Sequence, residues 1–99
     1  MTFTVRVRRA AEQDVAGAQD WYEAQLAGLG PAFYGELAAL VDRLAATPHI
    51  YPIVYRDVRR AVLHRFPFLV WFRVAGTVVT ILACTHGKAD PRRIPTRLR

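Results

Sequence analysis

Six residues of this 99-residue chain have the types and spacing for phosphate or acid–base chemistry. Arg59, Arg60, His64 and Arg65 fall close together, and His86 and Lys88 follow the next apolar runs. Arginine offers a phosphate a permanent cation but no proton transfer, because it stays protonated. Cleavage of RNA through the 2′-hydroxyl would therefore need His64, His86 or a tyrosine as base or acid. The stretch beyond His86 contains no tyrosine and no glutamate, so its supply of such groups is thin. Three readings of the cluster stand side by side: a surface that binds a polyanion, a catalytic site, and a solvated strand edge whose arginines pair with Glu12, Asp14 or Asp42.

Other classes of site are poorly supported. Gly28 and Gly30 make only a Gly-x-Gly-Pro between two helical patterns, which is turn punctuation rather than a phosphate cradle. His49, His64, His86 and Cys84 fall in no metal-ligand spacing beyond the two-residue separation of Cys84 and His86, so no metal and no cofactor are expected. Cys84 lies in an apolar strand pattern, where a thiol acts as a small core side chain.

The elements that must position these residues are legible from periodicity. Residues 3–8 alternate apolar and polar, which predicts a strand with one buried face. Ala11, Val15, Ala18, Tyr22 and Leu26 recur at three and four over 11–27, and Phe33, Leu37, Leu40, Val41 and Leu44 repeat the pattern up to Thr47-Pro48. Gly28 suits a left-handed cap and Pro31 a first helical turn, so the two helices form a hairpin. In Trp21-Tyr22-Glu23, Tyr22 falls on the stripe, Trp21 at its margin and Glu23 outward. Residues 49–57 read as a loop fastened onto the core. Residues 58–64, 69–75 and 78–85 are rich in Val, Ile and aromatics and are separated by turn residues, which predicts a three-stranded antiparallel meander.

The expected class is α+β: an N-terminal strand, a two-helix hairpin, then the meander, with the helices on one sheet face. The last two strands are apolar on both sides, and no helix is left for the second face. An uncovered apolar face marks a partner site, so Trp71 or Phe72, whichever points away from the helices, is expected to meet a partner. Residues 1–99 make one domain, and the basic stretch 86–99, with two prolines and no apolar periodicity, is expected to be partly irregular and held only near its start.

Composition agrees with a folded domain, since 53% of residues are hydrophobic and 22% charged. The net charge is +6 and unevenly placed. Arg6, Arg8 and Arg9 open the chain; residues 10–50 hold six acids against Arg43 alone; residues 51–99 hold ten cations against Asp57 and Asp90. The basic half is a candidate surface for nucleic acid, a ribosome or an acidic protein segment. Thirteen of the fourteen cations are arginine, which a GC-rich genome would also produce. One cysteine allows no internal disulfide and fits a reducing cytoplasmic compartment, and no apolar stretch has the length of a leader or a membrane span.

The order strand, helical hairpin, meander carries Trp21-Tyr22-Glu23 in the first helix, and Gly28-Leu29-Gly30 then Phe33 at the hairpin. It carries Arg59-Arg60 and Arg65-Phe66-Pro67-Phe68 at the first meander strands, and His86 before Asp90-Pro91. In this it resembles the RelE/ParE superfamily of bacterial toxins over nearly its whole length. The resemblance implies the toxin of a type II toxin–antitoxin pair, neutralised in a hetero-oligomer by an antitoxin whose C-terminal segment wraps over it. Trp21, Trp71 and Phe72 are the residues expected to meet the antitoxin. Members similar to RelE cut mRNA on the ribosome, and members similar to ParE poison DNA gyrase without catalytic residues. Here Ala89 stands where the family often has an arginine before Asp-Pro, and neither the C-terminal tyrosine nor the strand lysines of the nuclease branch are present. The hairpin looks closer to ParE. The resemblance therefore implies a gyrase-binding toxin rather than an enzyme, with Arg59, Arg60, Arg65, His86, Lys88, Arg92, Arg93 and Arg97 meeting the target. The alternative is a ribosome-dependent endonuclease using Arg60, Arg65 and His86.

Overall fold

In the computed structural model, which describes residues 2–87 and 94–99, β1 (Thr4–Val7) lies parallel to β5 (Val78–His86), and its alternation turns Val5 toward the core. The chain then forms α1 (Arg9–Gln25) and α2 (Leu29–Ala46), a 3-10 turn at Pro48–Ile50, β2 (Ile53–Tyr55), β3 (Val58–Val62), β4 (Phe68–Ala75), β5 and a last 3-10 turn at Thr96–Leu98. The five strands make one sheet in the order β1-β5-β4-β3-β2, all neighbours antiparallel except β1 and β5.

The α+β class and the two helices on one sheet face are as the periodicity predicts. Two strands extend the meander to five: β1 on one edge, and on the other Ile53–Tyr55, expected to be loop. Three residues that follow Pro52 and contain a bulge show no alternation to read.

The hairpin turn is held from α1. Gly28 adopts the left-handed conformation (φ 96°) that its lack of a Cβ permits. The Glu23 carboxylate, expected to point outward, folds back to accept the N–H of Gly28 at 3.0 Å and that of Gly30 at 2.9 Å, satisfying donors that the start of α2 leaves over. Gly30 is buried where the helices approach: a Cβ there would lie 3.0 Å from Glu23 Oε1 and 3.2 Å from the Gln19 carbonyl oxygen.

Two apolar layers result. Tyr22, Phe33, Leu40 and Leu44 from the helices meet Phe68, Val70, Phe72, Val79 and Ile81 on one sheet face. On the other, Val58, Leu69, Trp71, Leu82 and Ala83 are covered by Val54, Tyr55, Ile94 and Leu98. The expectation of an uncovered second face is thereby corrected, and so is that of a tail held only near its start. Ile94, just before the last 3-10 turn, and Leu98, its final residue, rest on Trp71's layer.

A bulge sets which residues belong to which layer. Trp71 pairs with Ala83 but Phe72 pairs with Ile81, leaving Leu82 as an extra residue in β5. Before it, Val79 and Ile81 face the helices; beyond it, Cys84 and His86 do, opposite Val70 and Phe68. Leu82 and Ala83 both face the tail.

Candidate functional site

The two adjacent strand arginines diverge, because successive side chains on β3 point to opposite faces. Arg59 shares the helix side with Phe72, its cross-strand partner, and its Nη1 donates to the carbonyls of His49 (3.2 Å) and Tyr51 (2.7 Å). It fastens the 48–51 turn to the sheet. Arg60 shares the other side with Trp71, its guanidinium 5.7 Å from the indole centroid. That indole N–H donates to Thr85 Oγ1 at 2.8 Å.

At the end of the sheet where β5 finishes, a ladder of rings links three of the expected site residues. The Arg65 guanidinium lies 5.6 Å from the Phe66 ring, Phe66 contacts Tyr22 (4.8 Å), Tyr22 contacts Trp21 (5.2 Å), and Trp21 meets His86 edge-on (6.1 Å). Trp21 is 52% exposed, and Arg65 and His86 are exposed as well. Tyr22 is buried, and burial pushes its phenol pKa up. The bulge at Leu82 is what turns His86 toward Trp21; in an unbroken alternation it would share a face with Arg60. His64, also exposed, lies in the turn after β3 that leads to Arg65.

The remaining expected residues are distributed as follows. Arg97 pairs with Asp14 of α1. Lys88, Arg92 and Arg93 lie outside the described residues. Trp71 and Phe72 are both fully buried, Phe72 beneath the helices and Trp71 beneath the tail, so neither presents a free surface. Trp21 does. Among the described residues no group of three or more His, Cys, Asp or Glu could hold a metal ion, and no helix is long and apolar enough to cross a membrane.

Three acids of the helical half turned out to matter in ways the sequence reading missed. Asp14, Glu23 and Glu36 each accept main-chain N–H groups: Cys84 at 2.9 Å, Gly28 and Gly30, and Arg65 at 2.9 Å. Two of them thereby pin the helices to the sheet and to the turn bearing Arg65. The only sequence signal for any of these was the pair of glycines five and seven residues after Glu23.

With that geometry established, the family model described as the ParE toxin of the type II toxin–antitoxin system parDE matches residues 5–91. The chain belongs to the ParE toxin family. Its fold is similar to that of a chain from the chromosomal ParDE toxin–antitoxin system of P. aeruginosa, with TM-score 0.76 and 22% identity over 86% of this chain and 96% of that one. It is also similar to a chain of the RelBE2 toxin–antitoxin complex of Mycobacterium tuberculosis, with TM-score 0.60 and 17% identity over 87% of this chain and 99% of that one. No curated protein is significantly similar in sequence. The match to the ParE family takes in the hairpin clamp, the bulge and His86, and it stops short of Ile94 and Leu98, which cover Trp71.

Proposed function

We propose that this ParE-family chain is the toxin of a type II toxin–antitoxin pair, that it arrests growth in the cytoplasm by binding and poisoning DNA gyrase, and that a cognate antitoxin neutralises it in a toxin–antitoxin hetero-oligomer. The observation that carries the choice of target is the separation of Arg60 from His86. A ribonuclease needs its cation and its proton-transfer group on one phosphate. Here the expected nuclease set is split, Arg60 standing on the sheet face away from His86 and Arg65, and Arg59 is occupied by the carbonyls of His49 and Tyr51. What remains together, Arg65, Trp21 and His86 around one exposed end, is a binding surface: an aromatic anchor flanked by a cation.

A supercoiling assay with purified gyrase, titrated with the toxin in the presence and absence of the protein encoded beside it, tests this reading. Inhibition or trapped cleavage complexes, relieved by the partner and retained in Arg60→Ala, are expected. No effect on gyrase together with cleavage of mRNA on programmed ribosomes, abolished by Arg60→Ala or His86→Ala, would replace the reading with a ribosome-dependent endonuclease.

A further inference from the structure

The sheet face turned away from the helices gathers arginines that the candidate target surface does not use. Val5 packs into the helix-side core and Val7 lines the groove between α1 and α2, so Arg6 points to the opposite face. The backbone stays extended at Arg8 (ψ 151°), carrying the alternation one step further. Arg6 pairs with Thr80 and Thr80 with Arg73, making a row across β1, β5 and β4. At about 4.8 Å per strand, the Arg6 and Arg73 backbones stand roughly 10 Å apart, and Arg8 lies about 7 Å along the strand from Arg6.

The charges around this row are one-sided. Arg6 and Arg8 are exposed, and among the described residues neither has a carboxylate partner. Arg73 meets Asp57 at 3.3 Å, with 39% and 65% of the two side chains exposed, so solvent screens that pair. Every other acid among the described residues, Glu12, Asp14, Asp20, Glu23, Glu36 and Asp42, belongs to the two helices. The molecule is therefore an acidic helical layer on a sheet whose outer face is basic.

We propose that this outer sheet face docks on the phosphate backbone of duplex DNA through Arg6, Arg8 and Arg73. Guanidinium forks match phosphate oxygens, and the hydroxyls of Thr4 and Thr80 between them add donors of the kind that position proteins on a duplex without reading bases. A single strand would need a free aromatic platform for its bases; on this face Trp71 is fully buried under Ile94 and Leu98, and the half-buried Tyr55 ring already lies under the Arg56 guanidinium at 5.2 Å. A protein partner would need apolar anchors beside the arginines; the exposed apolar residue of this face, Val62, lies four residues along β3 from Val58, the partner of Arg73, while Trp21, Leu26 and Tyr34 are exposed on the helical hairpin. The proposal stands whichever protein the toxin attacks.

Fluorescence anisotropy of a labelled duplex of about 20 base pairs, titrated with purified toxin between about 50 and 200 mM salt, tests it. Arg6→Ala, Arg8→Ala, Arg73→Ala should weaken binding roughly tenfold or more and flatten the dependence of log K on log salt by about 0.9 per arginine removed, equally for scrambled duplexes. Arg43→Ala, Arg56→Ala, Arg99→Ala removes the same charge elsewhere and should leave affinity within about twofold. An equal loss in that control would reduce the effect to the general attraction of a +6 protein and overturn the assignment. Tighter binding of single-stranded RNA or of a polyglutamate peptide would overturn it too. Should the triple variant unfold through loss of the Asp57 pair, Arg6→Ala, Arg8→Ala breaks no ion pair and decides the matter.

Discussion

Asp14 accepts the backbone N–H of Cys84 at 2.9 Å, across an edge of β5 that β1 leaves open. β1 pairs only with residues 78–81, so beyond Ile81 no strand among the described residues pairs with β5 on that side and its N–H groups need other acceptors. The same carboxylate oxygen takes the Arg97 guanidinium. One side chain on α1 thus ties the helix to the sheet edge and the chain's end to both, and it closes an edge that would otherwise invite a foreign strand.

The first prediction separates those two roles. Asp14→Ala should cost about 1.5–3 kcal/mol, the worth of a hydrogen bond to a charged group, and should speed amide exchange at Cys84. Arg97→Ala should leave Cys84 protected while exposing the last residues to carboxypeptidase. Exchange measured residue by residue in both variants decides it; equal protection of Cys84 in Asp14→Ala would show that the carboxylate does not hold the edge.

The hairpin clamp makes a second prediction. Gly30→Ala drives a methyl group to 3.0 Å from Glu23 Oε1 and 3.2 Å from the Gln19 carbonyl, so one of the clamp's own members must move. Overpacking of this kind costs about 1–3 kcal/mol. Glu23→Ala should cost about 0.5–2 kcal/mol, as a lost helix cap does, and Glu23→Gln less, since an amide oxygen can still accept one N–H. Urea denaturation of the three variants gives the order, and a Gly30→Ala protein as stable as the parent would mean the helices can separate freely.

How far the sequence could have been read differs by element for physical reasons. The helices were legible because a stripe of period 3.6 must face the sheet, and Gly28 and Pro31 mark the only turn between them. That Arg59 and Arg60 diverge was also implicit, since neighbours on any strand point apart. The side on which His86 lies was not: Leu82 and Ala83 are both apolar, no glycine or polar residue marks the bulge, and one extra residue reverses every assignment after it. Glu23 falls on the outward face by helix phase, and only the folded turn shows that its side chain is long enough to return to Gly28 and Gly30. The tail's role lay in two residues, Ile94 and Leu98, too few to make a periodic signal.

Cys84 supplies a prediction in pH. Burial, with the negative Asp14 adding and Arg97 opposing, pushes its thiol from an ordinary 9.0 up to about 12. A pKa raised by folding means the unfolded chain loses its proton first, so the contribution is fully present below pH 9 and is lost as pH rises from about 9 toward about 12. Stability should fall across that window, and Cys84→Ala should remove that part of the slope. The thiol should also resist alkylation at pH 8 until the protein is unfolded, because the thiolate is the reactive form. Rapid alkylation of the native protein would contradict the burial.

The last prediction concerns the bond beneath the tail. Trp71 is fully buried, and its indole N–H has Thr85 Oγ1 at 2.8 Å as acceptor. Thr85→Val keeps the volume and removes the acceptor, leaving a buried donor unsatisfied at a cost of about 1–3 kcal/mol; Thr85→Ser keeps the acceptor and should cost less. Trp71→Phe removes the donor but opens space under Ile94 and Leu98, so it destabilises by a different route. In that background Thr85→Val should cost much less than it does alone, since no indole N–H remains to be orphaned. The coupling measured by denaturation of the four proteins isolates the hydrogen bond from the packing. A coupling near zero would mean that the indole finds another acceptor when Thr85 is gone, and that the tail layer is held by apolar contact alone.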